Sequence, residues 1–161
     1  MTENASTSPR KPGLEGKYLS FFLGAEEYGI AILKVREIIG MMPVTPVPGT
    51  PSFMQGVINL RGKIIPVIDL RAKFSMPPRE ASRETCIIVV RRPDMELGIV
   101  VDTVSEVRDV TSADTEAMVD LGSGMAAEYF LGICKANGKV RLLLDIDAIL
   151  STEDIIELGR R

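Results

Sequence analysis

The chain has 161 residues, 45% of them apolar, enough to bury a core in one ordinary domain or two very small ones. Its 19 basic residues against 22 acidic ones set up no overall field toward nucleic acid or anionic lipid. With no His, no Trp and only 5% aromatics, it excludes Ser-His and Cys-His nucleophiles, His metal sites and stacking platforms for single strands.

Residues 1–16 are polar and rich in Ser, Thr, Pro and Gly. They lack the apolar centre of a signal peptide and are expected to form a flexible tail. A hairpin follows, with strands predicted over 18–23 and 28–32. Residues 43–51 carry four prolines and are extended. A second hairpin joins 57–60 to 63–68 through Arg61-Gly62. Pro66 inside its second strand argues for an edge position or a bulge. Asp69 then caps a short helical turn over 70–74.

The segment 75–84, with Pro77-Pro78, is the best internal linker. Strands are predicted over 85–91, 96–101 and 105–110, and 111–128 is a second long polar connection. Two more strands, 129–136 and 139–144, lead to Asp145, which caps a turn over 146–150. Ser151-Thr152-Glu153-Asp154 resembles a capping box ahead of a short helix that Gly159 stops, so 151–161 is expected to be a helix and tail. Cys86 and Cys134 each lie in an apolar stretch and are expected to be small core residues. No apolar run approaches the roughly 18 residues that span a bilayer, and a soluble cytoplasmic protein is expected.

The chain repeats itself. Shifting 53–74 by 76 positions sets Phe53 on Tyr129, Gly56 on Gly132, Gly62-Lys63 on Gly138-Lys139 and Asp69 on Asp145. A shift of 69 sets Tyr28-Gly29-Ile30 on Leu97-Gly98-Ile99 and Val35-Arg36-Glu37-Ile38 on Val104-Ser105-Glu106-Val107. Two related sequence halves, about 17–74 and 85–150, are therefore expected within one domain over 17–150. Each has about five strands, enough to close a small barrel and hide its edges. Such units are marginal alone, so two should share an apolar interface, and a groove between them is expected to bind partners. Whether each barrel follows one half or exchanges strands is open at this stage.

In Asn59-Leu60-Arg61-Gly62, Gly62 suits the positive φ of a tight turn and Asn59 braces it. Arg61 is then either an ordinary exposed turn residue or a guanidinium held on a rigid hairpin to meet a carboxylate. Glu37, flanked by Val35, Ile38 and Ile39, is either solvated or paired with Arg61. Asp69, Asp102, Asp145 and Asp147 are the candidates for carboxylate chemistry, but Asp69 and Asp145 are better explained as caps. Asp145-Ile146-Asp147 lacks the oxygen ligands and Gly of a calcium loop, and no phosphate loop or CxxC is present.

Taken in order, Glu27-Tyr28-Gly29-Ile30, Val35-Arg36-Glu37-Ile38, Gly56-Val57-Ile58-Asn59-Leu60-Arg61-Gly62, Pro66-Val67-Ile68-Asp69-Leu70 and Val101-Asp102-Thr103-Val104-Ser105-Glu106-Val107 resemble the CheW family of bacterial chemotaxis coupling proteins. The resemblance implies a mostly β fold of two pseudo-repeated five-stranded SH3-like barrels sharing an apolar core, with a few short helices. It implies a non-catalytic adaptor without cofactor or metal, joining the cytoplasmic tip of chemoreceptors to the regulatory domain of the histidine kinase CheA. Binding to nucleic acid and insertion into membrane are not implied; recruitment to membrane-associated receptor arrays is. By motif match, the resemblance implies Val35, Glu37, Arg61, Val104 and Val107 at the receptor-binding surface. It places kinase contact on barrel surface near the Asn-Leu-Arg-Gly hairpin and in the second half, which implies Gln55, Ile64 and Gly98 at the kinase-binding surface. Asn59, Gly62, Asp69 and Asp145 are expected to be structural. The alternatives are a small carboxylate-based enzyme or another β-barrel binding module, including one for nucleic acid, which the acidic balance opposes.

Overall fold

Short runs rich in Val, Ile, Leu and Phe, punctuated by Gly and Asn, fold into strands whose two faces are buried in different places. In the computed structural model, which describes residues 13–116, 127–150 and Asp154, the strands are β1 (Gly16–Leu23), β2 (Glu26–Ala31), β3 (Val35–Gly40), β4 (Met54–Leu60), β5 (Lys63–Asp69), β6 (Cys86–Arg91), β7 (Glu96–Val101), β8 (Thr103–Val110), β9 (Thr115–Glu116), β10 (Phe130–Ala136) and β11 (Lys139–Leu144). One helical turn, α1 (Leu70–Lys73), follows β5, and a 3-10 turn over Ile146–Ala148 follows β11. Residues 1–12 of the expected tail, and the expected helix after Ser151 apart from Asp154, lie outside the described residues.

The sheets have the orders β8-β1-β2-β11-β10-β9 and β3-β6-β7-β5-β4. The shift of 69 carries β1, β2 and β3 onto β6, β7 and β8, and the shift of 76 carries β4 and β5 onto β10 and β11. Both sheets then have one strand order, with β9 a two-residue addition. Each five-strand set forms an SH3-like barrel, and neither set follows one sequence half. The hairpin β4-β5 joins β7 by a parallel pairing, Val67 opposite Gly98. Its counterpart β10-β11 joins β2 in the same way, Leu143 opposite Gly29. The halves have exchanged strands, so neither barrel is complete without the other.

This exchange accounts for three apolar clusters. One lies inside the barrel built on β1 and β2 and includes Leu14, Tyr18, Val110, Cys134 and Leu143. A second fills the barrel built on β6 and β7 with Ile58, Ile65, Val67, Ile87 and Val89. The largest lies between the barrels, where the opposite faces of the same strands contribute Phe21, Tyr28, Ile30, Leu97, Ile99 and their neighbours. Tyr28 stacks on Phe21 at 5.4 Å between ring centroids. Burial pushes its hydroxyl up to about 12. At the same junction Lys73 Nζ lies 4.2 Å from the Phe53 ring centroid and 5.1 Å from that of Tyr129, a repeat-related pair.

The repeated glycines have a steric cause. The β4-β5 ladder shifts register between Met54 and Gly56, and the β10-β11 ladder between Phe130 and Gly132. A Cβ on Gly56 would sit 2.1 Å from the Thr45 carbonyl oxygen, and one on Gly132 would sit 2.7 Å from that of Glu116. Both glycines let a crossing backbone pass at a bulge.

Pro66 departs from the expected edge position. It lies on an inner strand, but β7 pairs with β5 only from Val67 onward, and the bulge is on the facing strand. The missing N–H therefore interrupts no ladder with β7. Strand β3 is an addition to the strands expected from the sequence, and the shift of 69 from the strand at 105–110 marks its place. Cys86 and Cys134 are free, half-buried and buried respectively, and burial pushes both thiols up.

Gly56→Ala and Gly132→Ala are expected to lower the unfolding free energy by about 1–3 kcal/mol or more, since the obstacle is backbone. Gly40→Ala, which meets nothing within 4 Å, should change it by less than about 0.5 kcal/mol. Urea denaturation of the three variants measures the difference.

Candidate functional site

Strand β4 turns into β5 through Arg61 and Gly62, both at positive φ, 52° and 86°. This is the turn that matches the twist of a two-residue hairpin. Asn59 Oδ1 accepts a hydrogen bond from the Gly62 N–H at 2.8 Å, so Asn59 and Gly62 both brace the turn. The repeat-related hairpin uses Asn137 and Gly138 at 55° and 73°. A backbone held this tightly gives the Arg61 side chain a fixed root.

The guanidinium of Arg61 donates through Nη2 to Glu37 Oε1 on β3. The structure thus joins the two residues that the motifs singled out separately. β3 and β4 are the two ends of the five-stranded sheet, so the pair ties one edge strand to the hairpin at the other edge. Arg61 remains 65% exposed against 26% for Glu37. An exposed pair of this kind contributes about 0–1 kcal/mol; its main effect is to orient Arg61.

Val35 lies on β3 and Val104 at the equivalent place on β8, and both pack, half-buried, against the shared core. Val107, on the same strand as Val104, is exposed, as is its counterpart Ile38. Val35, Glu37 and Arg61 thus gather around one barrel, while Val104 and Val107 belong to the edge strand of the other. Gln55 is exposed at the β4 bulge and lines a cleft of about 70 Å³ with Asp69, Arg71, Arg79 and Asp102. Ile64 is exposed on β5, opposite Asn59. Gly98 is buried; a Cβ there would lie 2.9 Å from Ile87 Cγ2 and 3.3 Å from Val67 Cγ2. Gly98 therefore serves the crossed pairing and presents no side chain to a partner.

The carboxylates raised as acid–base candidates are engaged otherwise. Asp69 accepts from the Arg71 N–H at 3.0 Å and Asp145 from the Asp147 N–H at 3.1 Å, each capping the turn after its strand. Asp147 accepts from Lys34 Nζ at 2.9 Å. Asp102 accepts from Arg71 Nε and Nη2, from Arg79 Nη1 and from the Gly24 N–H. The Arg71 hydrogen bonds lead a set of attractions that outweigh burial and hold the Asp102 carboxyl below the usual carboxylate range. Because Arg71 Nη1 also donates to the Pro77 carbonyl at 2.8 Å, this cluster fastens the 75–84 connection to the body. Among the described residues no group of three or more His, Cys, Asp or Glu could hold a metal ion. No helix among them is long and apolar enough to cross a membrane.

Sequence reasoning missed Arg71 and Arg79 as partners of Asp102, and the cluster of Ser20, Glu27, Arg108 and Arg141 inside one barrel. Long-range ion pairs leave no periodic signal. The repeat held a clue to the second cluster, because polar residues at 20, 108 and 141 stand where the other barrel has Val89, Ile39 and Ile65.

The CheW-like domain family model matches residues 17–154. The chain belongs to the CheW family. The chemotaxis protein CheW of Klebsiella aerogenes is 41% identical over 139 residues, covering 86% of this chain and 84% of that protein. The CheW of Thermotoga maritima is 35% identical over 138 residues, covering 84% and 88%. The crystal structure of the scaffolding protein TtCheW from Thermoanaerobacter tengcongensis superposes with a TM-score of 0.80 at 32% identity, covering 88% of this chain and 96% of that one. The fold, the repeat and these relatives agree: this CheW-family chain is a chemotaxis adaptor of the scaffold type.

Asp102→Asn tests the Arg71–Asp102–Arg79 cluster. A carboxylate with a depressed native pKa contributes stability that is complete above its unfolded value near about 4 and is lost as pH falls through the lower native value. The substitution should lower the unfolding free energy at neutral pH by about 1.5–3 kcal/mol. It should also flatten the acid limb below about pH 4. Urea titrations at neutral pH and at about pH 3 compare the two.

Proposed function

We propose that this protein couples the cytoplasmic tips of methyl-accepting chemoreceptors to the regulatory domain of the kinase CheA, at receptor arrays on the cytoplasmic face of the membrane. It does so as a scaffold without a catalytic step of its own. The observation that carries this reading is Arg61, exposed on a braced hairpin and aimed by Glu37, in a chain of the CheW family. A receptor tip is a helical hairpin. An apolar rim that includes Val35 and Val104 suits one ridge of it, and Arg61 suits a carboxylate that fixes the register. Val107 extends that surface along β8.

Gln55 and Ile64 lie on the β4-β5 hairpin and suit a second, kinase-facing surface, with Gly98 supporting it from beneath. Two small contacts on one rigid body are individually weak, and many copies side by side give the assembly its strength. Signalling then requires only that the contacts differ in free energy between the receptor's on and off states.

Arg61→Asp reverses the charge at an exposed position, so it should leave the circular dichroism spectrum native. Co-sedimentation with receptor-containing membranes should weaken about tenfold, equivalent to about 1.4 kcal/mol. Native-like binding by the folded variant would remove Arg61 from the receptor surface.

A further inference from the structure

The interior of the β1-β2 barrel holds a charged cluster that its repeat-related barrel lacks. Glu27, 7% exposed, accepts from Ser20 Oγ, from Arg141 Nε at 2.8 Å and from Arg108 Nε at 2.9 Å. Ser20 is 1% and Arg141 7% exposed. Burial pushes the Glu27 carboxyl up, but the hydrogen bonds from Ser20, Arg141 and Arg108 outweigh it and hold the group ionised below its usual range. The residues come from β2, β1, β11 and β8, four consecutive strands of one sheet.

The cluster sits beside a weak point in the ladder. Among the described residues β8 is an edge strand, paired with β1 alone. Its register jumps between Leu19–Val107 and Phe21–Val104, so Ser105 and Glu106 bulge opposite Ser20. The bulge interrupts backbone pairing at the point where β8 presents exposed Val107. Ser20 faces that interruption from β1, Arg108 stands just beyond it on β8, and Glu27 grips both. Arg108 also reaches back to Glu106, at 3.1 Å. In the other barrel the carboxylate equivalent to Glu27 is Glu96, held by Arg36 and Lys63, which are both largely exposed.

We propose that Glu27, acting through Arg108 and Ser20, is a positioning residue that fixes the bulged edge of β8 and so sets the pose of Val107 for its partner. The proposal deepens the receptor-surface reading and rests on it for the partner's identity. A restraint at this place matters whichever partner docks, because a bulged edge strand opens more readily than an inner one. A charged grip also gives direction, since it is satisfied in one arrangement of β8, whereas apolar packing tolerates several.

Arg108→Met tests this, because it keeps the aliphatic stem and leaves Glu27 paired with Arg141 and Ser20. The variant should remain folded by circular dichroism. Amide hydrogen exchange in β8 should quicken about tenfold, with β3 unchanged, and co-sedimentation with receptor-containing membranes should weaken about tenfold while association with the kinase regulatory domain stays as in wild type. Unchanged exchange in β8 overturns the proposal. Weakened sedimentation with unchanged exchange also overturns it, making Arg108 a direct contact. If wild-type protein ignores receptor membranes, the receptor reading fails, and the exchange measurement alone still decides whether the cluster restrains β8. Glu27→Gln, which leaves two arginines facing a neutral amide, should quicken β8 exchange further; protection equal to wild type in a folded Glu27→Gln variant overturns the proposal independently.

Discussion

The structure depends on two parallel strand pairings that cross between the sequence halves, β5 with β7 and β11 with β2. A parallel pair cannot be made by a hairpin, so each demands a connection through a different part of the fold. Between β5 and β7 the chain runs through α1, residues 75–84 and β6; between β2 and β11 it passes through the strands of the other barrel. The consequence is that Tyr28, Ile30, Leu97 and Ile99 face the shared core while the intervening Gly29 and Gly98 let the crossed strands approach. Two units too small to be stable alone become one body through the apolar cluster between them. That rigidity is what lets surfaces on both barrels keep a fixed relation to each other, which is the physical requirement for a scaffold.

On that body, charge is used to position rather than to bind tightly. The Glu37–Arg61 pair is too exposed to stabilise much, yet it aims a guanidinium. The Arg71–Asp102–Arg79 cluster fastens a loop. The Glu27 cluster restrains an edge. Breaking a buried pair by removing one partner is costly, whereas exchanging the whole set for apolar residues is often neutral. The two barrels differ at three of the four positions, with Ser20, Arg108 and Arg141 answering to Val89, Ile39 and Ile65, while Glu27 answers to Glu96, whose cationic partners are largely exposed.

Much of this was legible in the sequence because it has a local cause. Period-two apolar runs mark the strands, and Asp69 and Asp145 mark the turns after them. The spaced glycines mark the repeat, and Asn59 to Gly62 marks the hairpin. What was not legible depends on contacts between distant segments. Self-comparison exposed two halves but not their exchange, because a pairing of Val67 with Gly98 leaves no trace in either segment alone. Pro66 pointed to an edge because the late start of the β7 pairing cannot be inferred locally. Gly98, expected at the kinase-binding surface, is buried, because a family likeness marks packing as readily as contact. The arginine partners of Glu27 and Asp102 lie between 23 and 114 positions away, beyond any periodic signal.

A bridge between two partners has a signature that neither an enzyme nor a single-site binder shares. With receptor-containing membranes and the isolated kinase regulatory domain held fixed, the amount of regulatory domain that sediments is measured as this protein is added. Two sites on one rigid body predict a rise followed by a fall, as excess protein occupies each partner separately. Sedimentation of the regulatory domain that never responds to the protein at any concentration would contradict a bridging role.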